Sequence, residues 1–176
     1  MVKEQMMKTL ATSKKDIFEI AKETINAKEL GYSVVIPHVC NNVNLFGAGF
    51  TEAITNHYPV VKTNYHLLGK SFMLKNPGYV QFIDVDREPR YNRRLIIANM
   101  IAQNGVVSKH NPRPLNYAYL VKSMVDVKKY IIKNFNSENK VRIYAPKFGS
   151  GLARGNWSFI KCLIEDIWEG IDVTIF

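Results

Sequence analysis

Apolar and polar positions follow two regimes along this chain. Residues 32–39, with Ser33-Val34-Val35-Ile36, residues 95–102, and residues 141–145 are nearly continuous apolar runs rich in β-branched side chains. Such runs predict strands buried on both faces, as in a parallel-type sheet. Residues 171–176 alternate and predict a strand that ends the chain. Residues 4–10 give a weaker first strand, and residues 67–74 and 79–85 read as strands paired across Lys75-Asn76-Pro77-Gly78. Elsewhere apolar residues recur at steps of three and four. Phe50, Ala53, Ile54 and His57 predict a helix closed by Pro59, and residues 17–27 a short amphipathic one. Leu120, Met124, Val127, Ile131 and Phe135 predict a long helix. Ile160, Leu163, Ile164 and Ile167 predict another, capped by Asn156 and stopped near Gly170. Residues 87–93 and 106–114 read as loops. The succession of strand, helix and strand, without repeats or linkers, predicts one α/β domain over residues 1–176, a sandwich around a mixed sheet.

Two glycine-rich turns stand between a strand and a helix. One is residues 41–50; the other is Pro146-Lys147-Phe148-Gly149-Ser150-Gly151-Leu152-Ala153-Arg154-Gly155-Asn156-Trp157. Glycines let a backbone approach closely, amides point inward, and the helix N-terminus adds partial positive charge, which suits a phosphate. Either turn alone is equally well a tight connection without ligand. Ligands of open α/β sheets sit outside the carboxyl ends of strands, and both turns follow strand ends. The pair is therefore read as two walls of one nucleotide-diphosphate cleft. Amides near Gly47, Ala48 and Gly49 face one phosphate, and those near Gly149, Ser150, Gly151 and Leu152 the other.

Side chains around these turns carry the candidate chemistry. Asp16 is read as an acceptor for an adenine amino group or as a helix cap. Phe50 and Phe148 either stack on a base or ribose or pack in the core. Asn41 is placed to bond sugar hydroxyls, Gln103 ends a strand beside the same crevice, and Lys147 faces phosphate or solvent. His38 follows an apolar run, where a histidine is more often a hydrogen-bonded core residue. It is nonetheless the best candidate for proton transfer. His38, His57, His66 and His110 show no metal-ligand spacing, so no metal is expected. The Gly-x-x-x-x-Gly-Lys-Ser/Thr motif is absent, as is a nucleophile elbow.

Composition changes this picture little. The 176 residues are 47% apolar and 22% charged, as in ordinary globular proteins, and no apolar run is long enough to span a bilayer. A polar, lysine-bearing start without an apolar signal core and two distant cysteines, Cys40 and Cys162, lead to an expected cytoplasmic location, the host's if the protein is viral. The net charge of +9 leaves a nucleic-acid partner open. Its one dense cluster, Arg87, Arg90, Arg93 and Arg94 around Tyr91, reads more simply as a solvated loop.

Taken together, these residues resemble the macro domain family, whose fold is a three-layer α/β/α sandwich that binds ADP-ribose. Lys15-Asp16-Ile17-Phe18 is similar to the family's Gly-Asp-Ile/Leu segment, although Lys15 stands where glycine is usual. His38-Val39-Cys40-Asn41 with Phe46-Gly47-Ala48-Gly49-Phe50 is similar to its first ligand loop, and Pro146 to Leu152 to its second. The resemblance implies ligand contacts from Asp16, Ile17, Asn41, Gly47, Ala48, Gly49, Phe50, Lys147, Phe148, Gly149, Ser150, Gly151 and Leu152, with His38, Asn41 and Gln103 as catalytic candidates. His38-x-Cys40, Leu68-Gly69-Lys70 and Asn156-Trp157 resemble the branch of ADP-ribose-1''-phosphate phosphatases and terminal ADP-ribose protein glycohydrolases, while residues 99–103 resemble members from bacteria and tailed phages. The glycohydrolases' aspartate position is Ala153, and residues 101–103 lack their lysine. The implied activity is thus hydrolysis of ADP-ribose-1''-phosphate or a related ADP-ribosyl derivative with water as nucleophile and no cofactor, or ADP-ribose reading without catalysis. ADP-ribosylated protein or nucleic acid are further implied partners, and no membrane is.

Overall fold

The computed structural model describes residues 10–135 and 140–176. In chain order the elements are β1 (Ala11–Thr12), α1 (Ile17–Asn26), β2 (Ser33–Asn41), α2 (Phe50–His57), α3 (Pro59–Leu68), α4 (Lys70–Lys75), β3 (Val80–Glu88), a short helical turn at Pro89–Tyr91, β4 (Arg93–Gln103), α5 (Tyr117–Asn134), β5 (Val141–Ala145), α6 (Trp157–Ile167) and β6 (Asp172–Ile175). The strands form one mixed sheet in the order β1-β6-β5-β2-β4-β3. Every pairing is parallel except β3 with β4.

The apolar runs of β2, β4 and β5 are central strands because both their faces are covered. Val34, Ile36, Leu95 and Ile97 join α1 to α4 in one cluster, with Ile17, Ala21, Ile54, Val61, Tyr65 and Met73. Val35, Ile96, Met100 and Ile143 join α5 and α6 in the other, with Leu120, Met124, Val127, Ile131, Ile160 and Ile164. This is a three-layer α/β/α sandwich. The stripe of α5 has four fully buried side chains, each contributing roughly 2 kcal/mol by removal from water.

Three expectations change. Residues 67–74 are not a strand: they are the end of α3 and α4, joined at Gly69 with φ 75°. Of that run only Met73 is buried, and Leu67 is 78% exposed. The run's apolar content therefore did not mark a sheet position, and β3 pairs with β4 instead. Pro59 does follow the end of α2, but as the first residue of α3, where its missing N–H costs nothing. Residues 87–93 are the end of a hairpin, not a loop. Its charges are paired: Arg87 and Arg94 with Asp84, and Arg90 with Glu88. The Arg93 guanidinium donates to the carbonyls of Ile25 and Ala27, where α1 ends. The strand expected at residues 4–10 lies outside the described residues except for Leu10, which is not in a strand.

Moving along the chain from β2, β4 is laid on one side and β5 on the other. Such a reversal opens a crevice at the carboxyl ends of the strands. The ends of β2, β4 and β5 deliver Asn41, Gln103 and Pro146 to it.

Candidate functional site

A cavity of about 960 Å³ opens at those strand ends. It is walled by residues 38–41, 45–51, 103, 106, 107 and 146–154. The volume suits a ligand of nucleotide-sugar size. Both glycine-rich turns border it, so the structure brings together the two segments that the sequence singled out.

The first loop, residues 41–50, is tied to the protein by its own side chains. Asn41 Oδ1 accepts the N–H groups of Val43 and Leu45 at 3.0 and 3.2 Å, and Nδ2 donates to the Leu45 carbonyl at 2.7 Å. The fully buried Tyr65 hydroxyl lies 2.7 Å from the Asn41 carbonyl oxygen and 3.0 Å from Oδ1, sharing one proton between them. Burial there pushes the Tyr65 hydroxyl well above its ordinary pKa. Asn42 accepts from the Gly105 N–H and donates to Asn104 Oδ1, which fixes the loop after β4. Thr51 Oγ1 accepts the N–H groups of Gly47 and Ala48 at 3.0 and 3.1 Å. Those two amides thus have a partner before any ligand arrives.

The second loop differs. It turns back on itself through Gly155 N–H to the Gly149 carbonyl at 2.7 Å and Arg154 N–H to the Gly151 carbonyl at 3.0 Å. Gly149 has φ 74°, a conformation side chains resist. Asn156 then caps α6, accepting from the Phe159 N–H. The amides of Gly149, Gly151 and Leu152 have no acceptor among the described residues. Leu152 leans toward the first loop: a Cβ on Gly49 would stand 3.5 Å from its Cδ1.

Beneath the first loop lies a polar rung through an otherwise apolar sheet. His38, Asn99 and Gln81 are register partners on β2, β4 and β3. Gln81 Nε2 donates to the Asn64 backbone carbonyl at 2.9 Å, and Asn99 Nδ2 to Gln81 Oε1 at 3.0 Å. Asn99 Oδ1 then lies 2.5 Å from His38 Nε2. A carbonyl only accepts, so the chain of amides runs one way and fixes the proton of neutral His38 on Nε2. His38 is 1% exposed, and burial lowers its pKa to about 4 despite the Asn99 bond. It is neutral at pH 7. The Sγ of Cys40 sits 3.8 Å from both ring nitrogens, and burial raises that thiol.

The electrostatics of the wall are one-sided. Among the described residues, Lys147 and Arg154 are its charged residues and no aspartate or glutamate lines it. The amides of the second loop add partial positive charge, so the cavity is built for an anion.

No family model matches the sequence, and no curated protein matches it. Solved structures do. A Bacteroides thetaiotaomicron protein of unknown function aligns with TM-score 0.74 and 27% identity over 96% of this chain and 97% of its own. A macrodomain protein from Streptomyces coelicolor aligns with TM-score 0.67 and 24% identity over 95% and 97%. The chain has the macrodomain fold. DarTG of Thermosipho africanus, solved in complex with ADP-ribose, shares it with TM-score 0.58 and 15% identity over 84% of this chain and 42% of that one.

Within this fold most expected site residues meet at the cavity, in altered roles. Asp16 and Ile17 do not line it. Asp16 is the N-cap of α1, with Oδ1 accepting the N–H groups of Phe18 and Glu19 at 2.9 Å each, and Ile17 packs in the core. Phe148 is 4% exposed and packs edge-on against Trp157 and at an angle on Trp168, so its ring is part of the core. Phe50 is half-buried, stacked on Phe18 and edge-on to His38. Gln103 Nε2 donates to the Gly105 carbonyl. Ser150 Oγ donates to the Lys147 carbonyl. The sequence reading missed Tyr65, Asn42 and the Asn99–Gln81 pair, and it gave Arg154 no role. A signal for Tyr65 existed, since Val61, Tyr65 and Leu68 keep helical spacing. None existed for the amide rung, whose members lie far apart in sequence.

Proposed function

We propose that this macrodomain binds ADP-ribose in the cavity between its two loops. The observation that carries this reading is a wall with three open amides, two cations and no carboxylate among the described residues, in a cavity roomy enough for a nucleotide sugar. The ADP-ribose complex of DarTG, a protein of the same fold, adds support. The finer reading is hydrolysis of ADP-ribose-1''-phosphate, or of a related ADP-ribosyl derivative. Water attacks phosphorus, the ribose oxygen leaves and takes the proton, and inorganic phosphate is released. Open amides and a cation at the second loop would meet the charge of the transferring group. Of the polar side chains that border it, Gln103 keeps its amide oxygen free among the described residues and can orient water.

One observation favours reading without catalysis. His38 borders the cavity but is 1% exposed with its pKa lowered to about 4, and Ala153 presents only a methyl group. Calorimetric titration with ADP-ribose tests binding, and phosphate release from ADP-ribose-1''-phosphate tests hydrolysis. Binding without release above a buffer control leaves the reader; no heat at high micromolar ligand removes both.

A further inference from the structure

We propose that Arg154 is the specificity-determining residue of this cavity, and that it reads a phosphomonoester that the ligand carries in addition to its diphosphate. The inference rests on the ADP-ribose reading above. The chain has seven arginines. Six have partners: Arg87 and Arg94 with Asp84, Arg90 with Glu88, Arg142 with Asp172, Arg93 with the carbonyls of α1, and Arg113 over the ring of Tyr117. Arg154 is exposed at the rim, has no ion pair, side-chain hydrogen bond or aromatic face among the described residues, and is the arginine that lines the cavity.

Its backbone points the same way. Arg154 has φ 60°, a left-handed conformation that glycine or asparagine takes far more readily. Glycines stand at 149, 151 and 155 of the same loop, so an arginine at the strained position is a costly choice for folding alone. The charge count completes the argument. Three open amides and Lys147 already offer donors for a diphosphate. A further unneutralised cation on the same wall matches a further anion. A phosphomonoester carries nearly two negative charges near pH 7 and presents oxygens that a guanidinium grips with two parallel bonds. Arginine, unlike lysine, supplies that fork and keeps its charge at every working pH.

The test is calorimetric titration of ADP-ribose and ADP-ribose-1''-phosphate into wild type, R154Q, R154K and R154G, with thermal unfolding of each. We expect wild type to prefer the phosphorylated ligand. R154Q should lose about tenfold in its affinity and under about twofold for ADP-ribose, as for one charge-assisted contact. R154K should fall between them. R154G should lose the preference as fully as R154Q while melting higher, because glycine relieves the left-handed strain. Equal losses for both ligands, or no loss in R154Q and R154G, overturn the role of Arg154 and leave ADP-ribose binding intact. Silence of the wild type toward both ligands overturns the underlying reading together with it.

Discussion

The two loops that face each other across the cavity solve opposite problems. The first loop satisfies its donors internally: Asn41, Thr51 and Tyr65 occupy the amides and carbonyls of residues 41–48. It is a preformed wall, braced from outside by α3. The second loop leaves the amides of Gly149, Gly151 and Leu152 without an acceptor among the described residues and sets Arg154 beside them. One loop gives shape and the other gives charge. Similar glycine content thus conceals a division of labour that only the hydrogen-bond partners reveal.

The largest expected effect comes from breaking the second loop's closure. At Gly155 a Cβ would stand 2.6 Å from the Gly149 carbonyl oxygen and 2.3 Å from Leu115 Cδ2. A backbone atom cannot step aside cheaply, so Gly155→Ala should cost about 3 kcal/mol in urea unfolding and abolish ADP-ribose binding. A tolerated alanine with intact affinity would show that the loop's tight turn is not what holds its amides in place.

The next effect probes the rung beneath the first loop. The unfolded chain protonates His38 near its ordinary 6.5, whereas the folded one does so near 4. Stability from this group is therefore complete above pH 6.5 and is lost as pH falls toward 4, by up to about 3 kcal/mol. His38→Gln keeps an N–H for Asn99 and does not titrate. Urea midpoints at pH 7 and pH 4.5 should fall further in wild type than in the variant; equal falls would refute the buried neutral imidazole.

Asn41→Ala strips the first loop of its bracing and leaves Val43 and Leu45 amides without an acceptor. It should cost about 2 kcal/mol and weaken ADP-ribose binding. Ser150→Ala in the second loop removes one exposed bond and should cost about 0.5 kcal/mol. Comparable losses from the two would dissolve the contrast between them. The smallest effect lies outside both loops. Asp16→Ser preserves the α1 cap and should change stability by under about 0.5 kcal/mol. Any loss of ADP-ribose affinity in that variant isolates a ligand contact of Asp16, since the cap survives; unchanged affinity assigns Asp16 to capping alone.

Much of this was written locally. The buried runs of β2, β4 and β5, the stripes of α5 and α6, the Asn156 cap and the two glycine turns after strand ends depend on neighbours a few residues away, so they are legible in order along the chain. The resemblance to the macro domain rested on those same turns. What a side chain does once it reaches the cavity is a matter of who stands opposite, and the sequence does not arrange its partners side by side. Residues 67–74 had the apolar content of a strand, yet β3 found its partner in β4 and left them helical. Asn41 looked free for a sugar until Tyr65, 24 residues on, was folded against it. Phe148 was turned into the core by Trp168. The rung of His38, Asn99 and Gln81 needed three strands in register before its proton had a place. Among the described residues six arginines found partners in the fold and one did not, and that difference belongs to tertiary structure because ion pairing depends on distance in space, not on distance in sequence.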